Sequence, residues 1–173
     1  IVPRPRYPFP FVQADALAPP FRLESFDAIH ASPPCQSHSA TTNYLGDRGH
    51  PDLIPETRQL VEESGLPFVI ENVPGADTLR PQLMLCGSMF GLPVGRHRDF
   101  ETSLPLMLVP SCQHRPDDLA FAHRNNHLEQ PCSETAYRDA MECGWMSARQ
   151  ARQAIPPAYT EFIGGQLREA VYC

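Results

Sequence analysis

Phe26-Asp27-Ala28-Ile29-His30-Ala31 and Pro67-Phe68-Val69-Ile70 are the two stretches that decide the fold. Each is a short apolar run typical of a buried strand, and prolines or polar residues end both runs. The segment between them contains residues 55–65, which start with Pro55 and finish with Gly65, a pattern that favours a helix. A strand, a helix and a strand in this order predict two adjacent parallel strands. The sequence therefore predicts an α/β fold.

The remaining elements are predicted from shorter patterns. Phe11-Val12-Gln13 is β-type and leads to Asp15, while residues 83–86 and 97–102 predict further strands. Helices are predicted from Ser133 to Glu142, from Ser147 to Ala154 and from Tyr159 to Val171, the last weakened by Gly164-Gly165. We predict a partial α/β domain over 1–102, a short irregular insertion over 103–132, and helices completing the domain over 133–173.

Composition indicates a globular chain of 173 residues, of which 42% are hydrophobic and 20 are prolines. No apolar run is long enough for a membrane span, and the basic start is not followed by the apolar stretch of a signal peptide. The six cysteines form no CxxC pair, so we predict reduced thiols in a cytoplasmic protein. The net charge of −6 means that nucleic-acid binding would need a local basic patch.

Two predicted strands end in residues that carry chemistry. Cys35 follows the first strand and Glu71 the second, and the carboxyl ends of parallel strands meet at one edge of a sheet. A thiol beside an acid suits addition to an electron-poor pyrimidine: sulfur adds at C6, an acid protonates N3, and C5 becomes nucleophilic. Two prolines before Cys35 stiffen its loop.

Arg96 and Arg98 alternate on a predicted strand, so we expect both side chains on one face. Two guanidinium groups could hold O2 of an extruded base and its phosphates. The polar residues 36–51 predict a long loop that could close over such a base. Alternating arginines are also common on solvated edge strands, and an isolated cysteine is often an ordinary buried thiol.

Pro33-Pro34-Cys35-Gln36, Glu71-Asn72-Val73 and Arg96-His97-Arg98 resemble, in order and spacing, three signature motifs of DNA cytosine-5 methyltransferases. The resemblance implies a Rossmann-like methyltransferase fold that uses S-adenosylmethionine and acts on double-stranded DNA with a flipped cytosine. It implies that Cys35 is the nucleophile, that Glu71 is the N3 proton donor, and that Arg96 and Arg98 hold the base. Asn72 would fix the loop that carries Glu71, and Gln36 and Ser37 would support the loop of Cys35.

Two more segments resemble the cofactor motifs of that family. Asp15 lies in a segment like the one whose acid meets the adenine of S-adenosylmethionine, and residues 155–166 resemble the final helix motif. The resemblance implies cofactor contacts by Asp15, Pro33, Tyr159 and Thr160. The family's opening Phe-x-Gly-x-Gly-Gly turn is missing, so we expect a truncated chain with half of a cofactor site. Val94 stands where the family has Gln. The short recognition region is similar to that of compact phage-type enzymes, and we predict a monomer.

Other interpretations stay open. A tRNA cytosine-5 methyltransferase would use the same chemistry, and the chain could be an inactive DNA-binding remnant. Enzymes of the thymidylate synthase type also add a cysteine to a pyrimidine, but the Gln-Phe pair shortly after their cysteine is missing here. A zinc site is suggested by several Cys and His residues, whose order fits no common finger, so we predict no metal. These residues are Cys112, His114, His123, His127 and Cys132.

Overall fold

A sheet of four strands forms the centre of the computed structural model, within the part of the chain that the structure describes. The described residues are 7, 9–38, 49–104, 109, 111–114 and 133–172. The strands are β1 (Ile29–Ala31), β2 (Phe68–Asn72), β3 (Leu83–Leu85) and β4 (Arg98–Thr102), in the spatial order β1-β2-β4-β3. The sheet is mixed, because β1 and β2 are parallel whereas β4 runs antiparallel to both β2 and β3.

The predicted strand–helix–strand unit is confirmed. Helix α1 (Ile54–Glu63) connects β1 to β2, and Ile29 pairs with Phe68 while Ala31 pairs with Ile70. The helix has Pro55 near its start, and Gly65 beyond its end has a φ of 69° that favours glycine. Its buried residues recur with helical spacing and face the sheet. They are Ile54, Thr57, Arg58 and Val61.

Strand β2 is buried along its whole length because helices cover both sides of it. Phe68 and Ile70 pack in a cluster with Ile54 and Val61 of α1. Val69 faces the other side and packs in a second cluster with Phe100 of β4, Tyr159 and Ile163. This alternation puts Glu71 on the same side of the sheet as Val69, and Asn72 on the side of α1.

Three C-terminal helices complete the described structure. They are α2 (Glu134–Ala140), α3 (Ala148–Ala151) and α4 (Pro157–Tyr172). The predicted cap is confirmed, since the Ser133 side chain accepts a hydrogen bond from the backbone N–H of Ala136. Helix α4 continues through Gly164 and Gly165, because Tyr159 and Ile163 anchor it in the core and tertiary packing outweighs the low helix propensity of glycine.

Two predictions about elements need correction. Phe11-Val12-Gln13 is irregular, not a strand, and no described strand pairs with it; Phe11 is 45% and Val12 58% exposed. Arg96 lies before β4, which begins at Arg98, so the two arginines do not share a strand. The predicted loop over 36–51 and the insertion over 103–132 lie largely outside the described residues, and the predicted domain bounds stay predictions. Among the described residues, the helices are all too short or too polar to cross a bilayer.

Gly87 controls how the β3–β4 connection packs. A Cβ atom added there would lie 2.2 Å from the backbone oxygen of Val94 and 2.8 Å from its side chain. We expect Gly87→Ala to lower the free energy of unfolding by about 1–3 kcal/mol, the usual effect of overpacking, as measured by urea denaturation. Gly164→Ala, on an exposed position of α4 with open space around it, is the matched control and should be neutral or stabilise by up to about 1 kcal/mol. Equal effects of the two substitutions would contradict this prediction.

Candidate active site

Cys35 lies on a short turn directly after β1. The backbone N–H of His38 donates to the carbonyl of Cys35 at 3.1 Å, which closes a turn over 35–38. Pro33 and Pro34 have no N–H to extend the strand ladder, so the chain leaves the sheet at this point. The thiol of Cys35 is free and half-buried. It therefore sits at the sheet edge, with part of its residue open to a ligand.

A side-chain hydrogen bond fastens the Cys35 loop to the end of β2. Because Ala31 pairs with Ile70, Ser32 and Pro33 continue alongside Glu71 and Asn72. Asn72 donates from Nδ2 to the carbonyl of Pro33 at 3.2 Å, while its Oδ1 accepts from the N–H of Val73 at 2.9 Å. Asn72 is 1% exposed, so both bonds are shielded from water. This residue thus fixes the loop of Cys35 as well as its own strand end.

Glu71 is buried and paired with Arg98. Its Oε1 lies 2.8 Å from Nε of Arg98, and the side chain of Ser32 also hydrogen-bonds to it. Burial raises the pKa of the Glu71 carboxyl above its ordinary value, and this effect exceeds the opposing influence of Arg98, Ser32 and Arg96. A carboxyl group with a raised pKa retains its proton more readily near neutral pH, as a proton donor requires.

Arg96 and Arg98 have different partners. Arg98 pairs with Glu71 and donates to the carbonyl of His97 at 2.7 Å. Arg96 instead donates to the carbonyls of Ala154 and Arg152, both at 2.8 Å, and to the hydroxyl of Tyr137 at 3.3 Å. These bonds attach the segment before β4 to the C-terminal helices. The predicted contact of Arg96 with a base stays a prediction, and the structure gives its guanidinium a role in holding α2 and the end of α3.

A second contact fixes the Cys35 turn from the side of α1. His38 Nε2 lies 2.9 Å from Oδ1 of Asp52, and Asp52 also accepts from the N–H of Ile54 and the hydroxyl of Thr78. Ser32, His38 and Asp52 were not singled out from the sequence. Their positions in the sequence are the one indication of these roles, since Ser32 and His38 flank the Cys35 motif and Asp52 lies just before the start of α1.

The residues that resemblance assigns to the cofactor do not assemble a pocket among the described residues. Tyr159 is 0% exposed, contacts the rings of Phe90 and Phe100, and donates its hydroxyl to the carbonyl of Arg96. Its side chain is thus part of the core, and its cofactor contact stays a prediction. Thr160 is exposed and donates to the carbonyl of Pro157 at 2.9 Å.

Asp15 and Pro33 also have local roles. Asp15 is exposed and closes its own turn by accepting from the N–H of Leu17 at 3.0 Å, and Pro33 gives its carbonyl to Asn72. The residues present therefore do not fit S-adenosylmethionine as a complete site. The side chain of Gln36 is exposed, and the Ser37 hydroxyl is buried without a hydrogen-bond partner in the described structure. Their support of the Cys35 loop stays a prediction.

The sequence predicts no metal site, but Cys112 and His114 lie in a cluster of potential metal ligands. The structure brings these two residues to Cys86 and His97, far apart in sequence. His123, His127 and Cys132, which suggested zinc in the sequence, lie outside the described residues.

Comparison of the chain with models of known protein families, with curated proteins and with solved structures finds no significant match. The α/β architecture and the side-chain geometry are therefore the observations on which a function can be argued.

The two buried glutamates predict opposite pH dependences of stability. The pKa of Glu71 is raised, so the folded state holds its proton more tightly than the unfolded state, and stability falls as pH rises above the ordinary value of 4.5. We expect the free energy of unfolding of the wild type, relative to Glu71→Gln, to fall as pH rises from about 4.5 through the raised pKa of Glu71, by about 1.4 kcal/mol for each pH unit by which that pKa exceeds its ordinary value.

Glu101→Gln is the control with the opposite sign. Burial alone would raise the pKa of Glu101, but hydrogen bonds from Arg58 outweigh it and lower the pKa. Stability of the wild type relative to Glu101→Gln should therefore rise with pH and be lost as pH falls through the lowered pKa. Urea unfolding across this pH range measures both differences, and the same slope for both variants would refute the assignment for Glu71.

Proposed function

We propose that this protein acts in the methylation of cytosine at C5 in DNA, with Cys35 as the nucleophile. The observation that carries the proposal is the pairing of β1 with β2, which sets the half-buried thiol loop beside a buried acid of raised pKa. Asn72 holds the two strand ends together through Pro33. A soft nucleophile and a proton donor on adjacent rigid supports suit addition to a pyrimidine ring.

The proposed chemistry begins at C6 of the base. The Cys35 thiolate forms an Sγ–C6 bond, the electrons of the ring shift towards N3, and Glu71 gives its proton to N3. The ring then carries an enamine in which C5 is nucleophilic and can bond to an electrophile. The original hydrogen of C5 then leaves as a proton to solvent water, and its bonding electrons form the C5–C6 double bond. The Sγ–C6 bond breaks with its electron pair returning to sulfur, and the N3 proton returns to Glu71, which regenerates the enzyme and restores the aromatic ring.

Arg98 has two parts in this proposal. Its Nε lies 2.8 Å from Oε1 of Glu71, and this contact holds the carboxyl group in place at the end of β2. Arg98 is half-buried, and its guanidinium lies next to the group proposed to meet N3, so a flipped cytosine bound there would present O2 towards it. C6 is not accessible to a protein nucleophile inside duplex DNA, so the base must leave the stack before the reaction.

The sequence motifs are the sole basis for the identity of the methyl donor. S-adenosylmethionine is the donor implied by the resemblance, but the residues described do not form a complete pocket for it. The proposal for this chain's own residues therefore ends at activation of C5. A test that needs no methyl donor separates that chemistry from cofactor binding.

Exchange of the hydrogen on C5 is such a test. After Cys35 adds to C6, C5 can take a proton from water and lose its original hydrogen when sulfur leaves, with no net change in the base. We expect the full chain to release tritium from a duplex containing [5-³H]cytosine, and Cys35→Ala to release none above background. Cys173→Ala, which removes another thiol, should retain the wild-type rate. Scintillation counting of the released water gives the rate.

Each outcome has a distinct meaning. Exchange by Cys35→Ala at the wild-type rate would remove Cys35 from the reaction. A wild-type chain that retains the duplex but releases no tritium would be a DNA-binding remnant. Exchange on a structured tRNA but not on the duplex would assign the activity to RNA.

Glu71→Gln tests the acid. Loss of a general acid lowers rates by about 100-fold to 10,000-fold, so we expect the exchange rate to fall at least about 100-fold. Glu101→Gln is matched to it, because Glu101 is also a buried glutamate paired with an arginine. It lies on the neighbouring strand β4 and faces α1, where its partner Arg58 lies. This control should lower stability but retain the exchange rate per folded molecule. Equal losses of rate in both variants would indicate a structural effect and exclude Glu71 as the donor.

A further inference from the structure

Four potential metal ligands converge at the end of the β3–β4 hairpin. Cys86, His97, Cys112 and His114 each offer one ligand atom, and these atoms all lie within 4.8 Å of one another. His114 Nε2 lies 3.2 Å from the sulfur of Cys86 and 3.0 Å from that of Cys112. Nε2 of His97 lies 3.4 Å from the sulfur of Cys112. Two sulfurs and two imidazole nitrogens thus surround one point.

The strand register explains how the first two ligands meet. Leu85 of β3 pairs with Arg98 of β4 in an antiparallel ladder. The next residues outward are Cys86 and His97, so the register sets them opposite each other, with their side chains directed to the same side of the hairpin. Cys112 and His114 reach this point from the segment after β4. Ligands from three stretches of chain therefore meet at a position that no local sequence motif defines.

The distances between the sulfur and nitrogen atoms are close to those between the ligands of a tetrahedral zinc ion. Zinc bound at about 2.3 Å to sulfur and about 2.0–2.1 Å to nitrogen separates neighbouring sulfur and nitrogen ligands by about 3.6 Å. Three of the four sulfur–nitrogen distances here are 3.0, 3.2 and 3.4 Å, so small outward shifts would accommodate the ion. Without an ion, two thiols and two histidines in contact stabilise each other little, since S–H is a weak hydrogen-bond donor and sulfur is a weak acceptor.

Ser88 supplies an outer contact to both sulfurs. Its hydroxyl oxygen lies 3.4 Å from the sulfur of Cys86 and 3.5 Å from that of Cys112, and it accepts the N–H of Gln113 at 3.1 Å. Outer groups of this kind orient metal ligands and are part of a built site. Cys86 is 0% exposed, whereas His114 is exposed, so the cluster lies at the surface with one buried side.

We propose that Cys86, His97, Cys112 and His114 bind one Zn²⁺ ion in a closed, structural site. A set of two thiolates and two imidazoles favours zinc over harder cations, and four protein ligands leave no position for a substrate. The inference is independent of the proposed methylation chemistry. Its structural consequence is local: the ion joins the ends of β3 and β4 to residues 112–114 and fixes His97, which stands between Arg96 and Arg98.

The test measures zinc in the full chain, purified without a histidine tag. Mass spectrometry of the metal content should find one zinc ion per chain in the wild type. We expect His114→Asn and Cys112→Ser to lower zinc affinity by at least about 100-fold, since loss of a ligand exceeds the effect of losing an outer partner. Cys35→Ser and His50→Asn, which alter a half-buried thiol and an exposed histidine elsewhere, should retain wild-type zinc.

A ligand exchange separates coordination from a merely structural role. His114→Cys replaces one zinc ligand by another and should retain the ion, whereas His114→Asn should lose it although both remove the imidazole. Cobalt added to the metal-free protein should give thiolate charge-transfer absorption and the d–d bands of a tetrahedral ion. A wild-type chain with neither zinc nor this cobalt spectrum would overturn the proposal, as would equal zinc loss in His114→Asn and His50→Asn.

Discussion

Because β1 and β2 run parallel and in register, the chain leaves both strands at the same edge of the sheet. Ala31 pairs with Ile70, so Ser32 and Pro33 meet Glu71 and Asn72 one residue later. A shift of one residue would turn Glu71 to the opposite side of β2. The register resists such a shift because β2 is buried on both sides, with Ile70 packed towards α1 and Val69 towards α4. The candidate site is thus a consequence of how the core packs.

Two buried arginine–glutamate pairs show how similar groups acquire different properties. Glu101 accepts Arg58 through both carboxylate oxygens and also the N–H of Arg80, and the pKa of this fully satisfied group is lowered. Glu71 has Arg98 at one oxygen and Ser32 nearby, and burial dominates, so its pKa is raised. The first arrangement holds a charge and joins α1 to β4. The second favours the protonated form of the carboxyl group, and it lies where the strand ends.

The sequence reveals those parts of the structure that depend on neighbours along the chain. Helix α1 is bounded by Pro55 and Gly65, and β2 follows as an apolar run, so the parallel pair and its two polar ends were predictable. The motif resemblance of Tyr159 says nothing of its burial, and only the packed structure places its ring against Phe90 and Phe100. The bonds of Arg96 to residues 152 and 154 likewise depend on tertiary contacts far apart in sequence.

The three successive side chains of Arg96-His97-Arg98 contact three different parts of the molecule, which their sequence alone does not reveal. Arg96 binds the C-terminal helices, Arg98 binds Glu71, and His97 lies in the Cys and His cluster that we propose for zinc. Alternation would put the two arginines on one face only if both lay in a strand, but Arg96 lies before β4. The two-residue spacing alone therefore groups the arginines and does not reveal the partners of His97. The partner of Glu71 thus belongs to a segment that is held at the C-terminal helices and at the hairpin end together, so contacts well beyond its own motif support the candidate site.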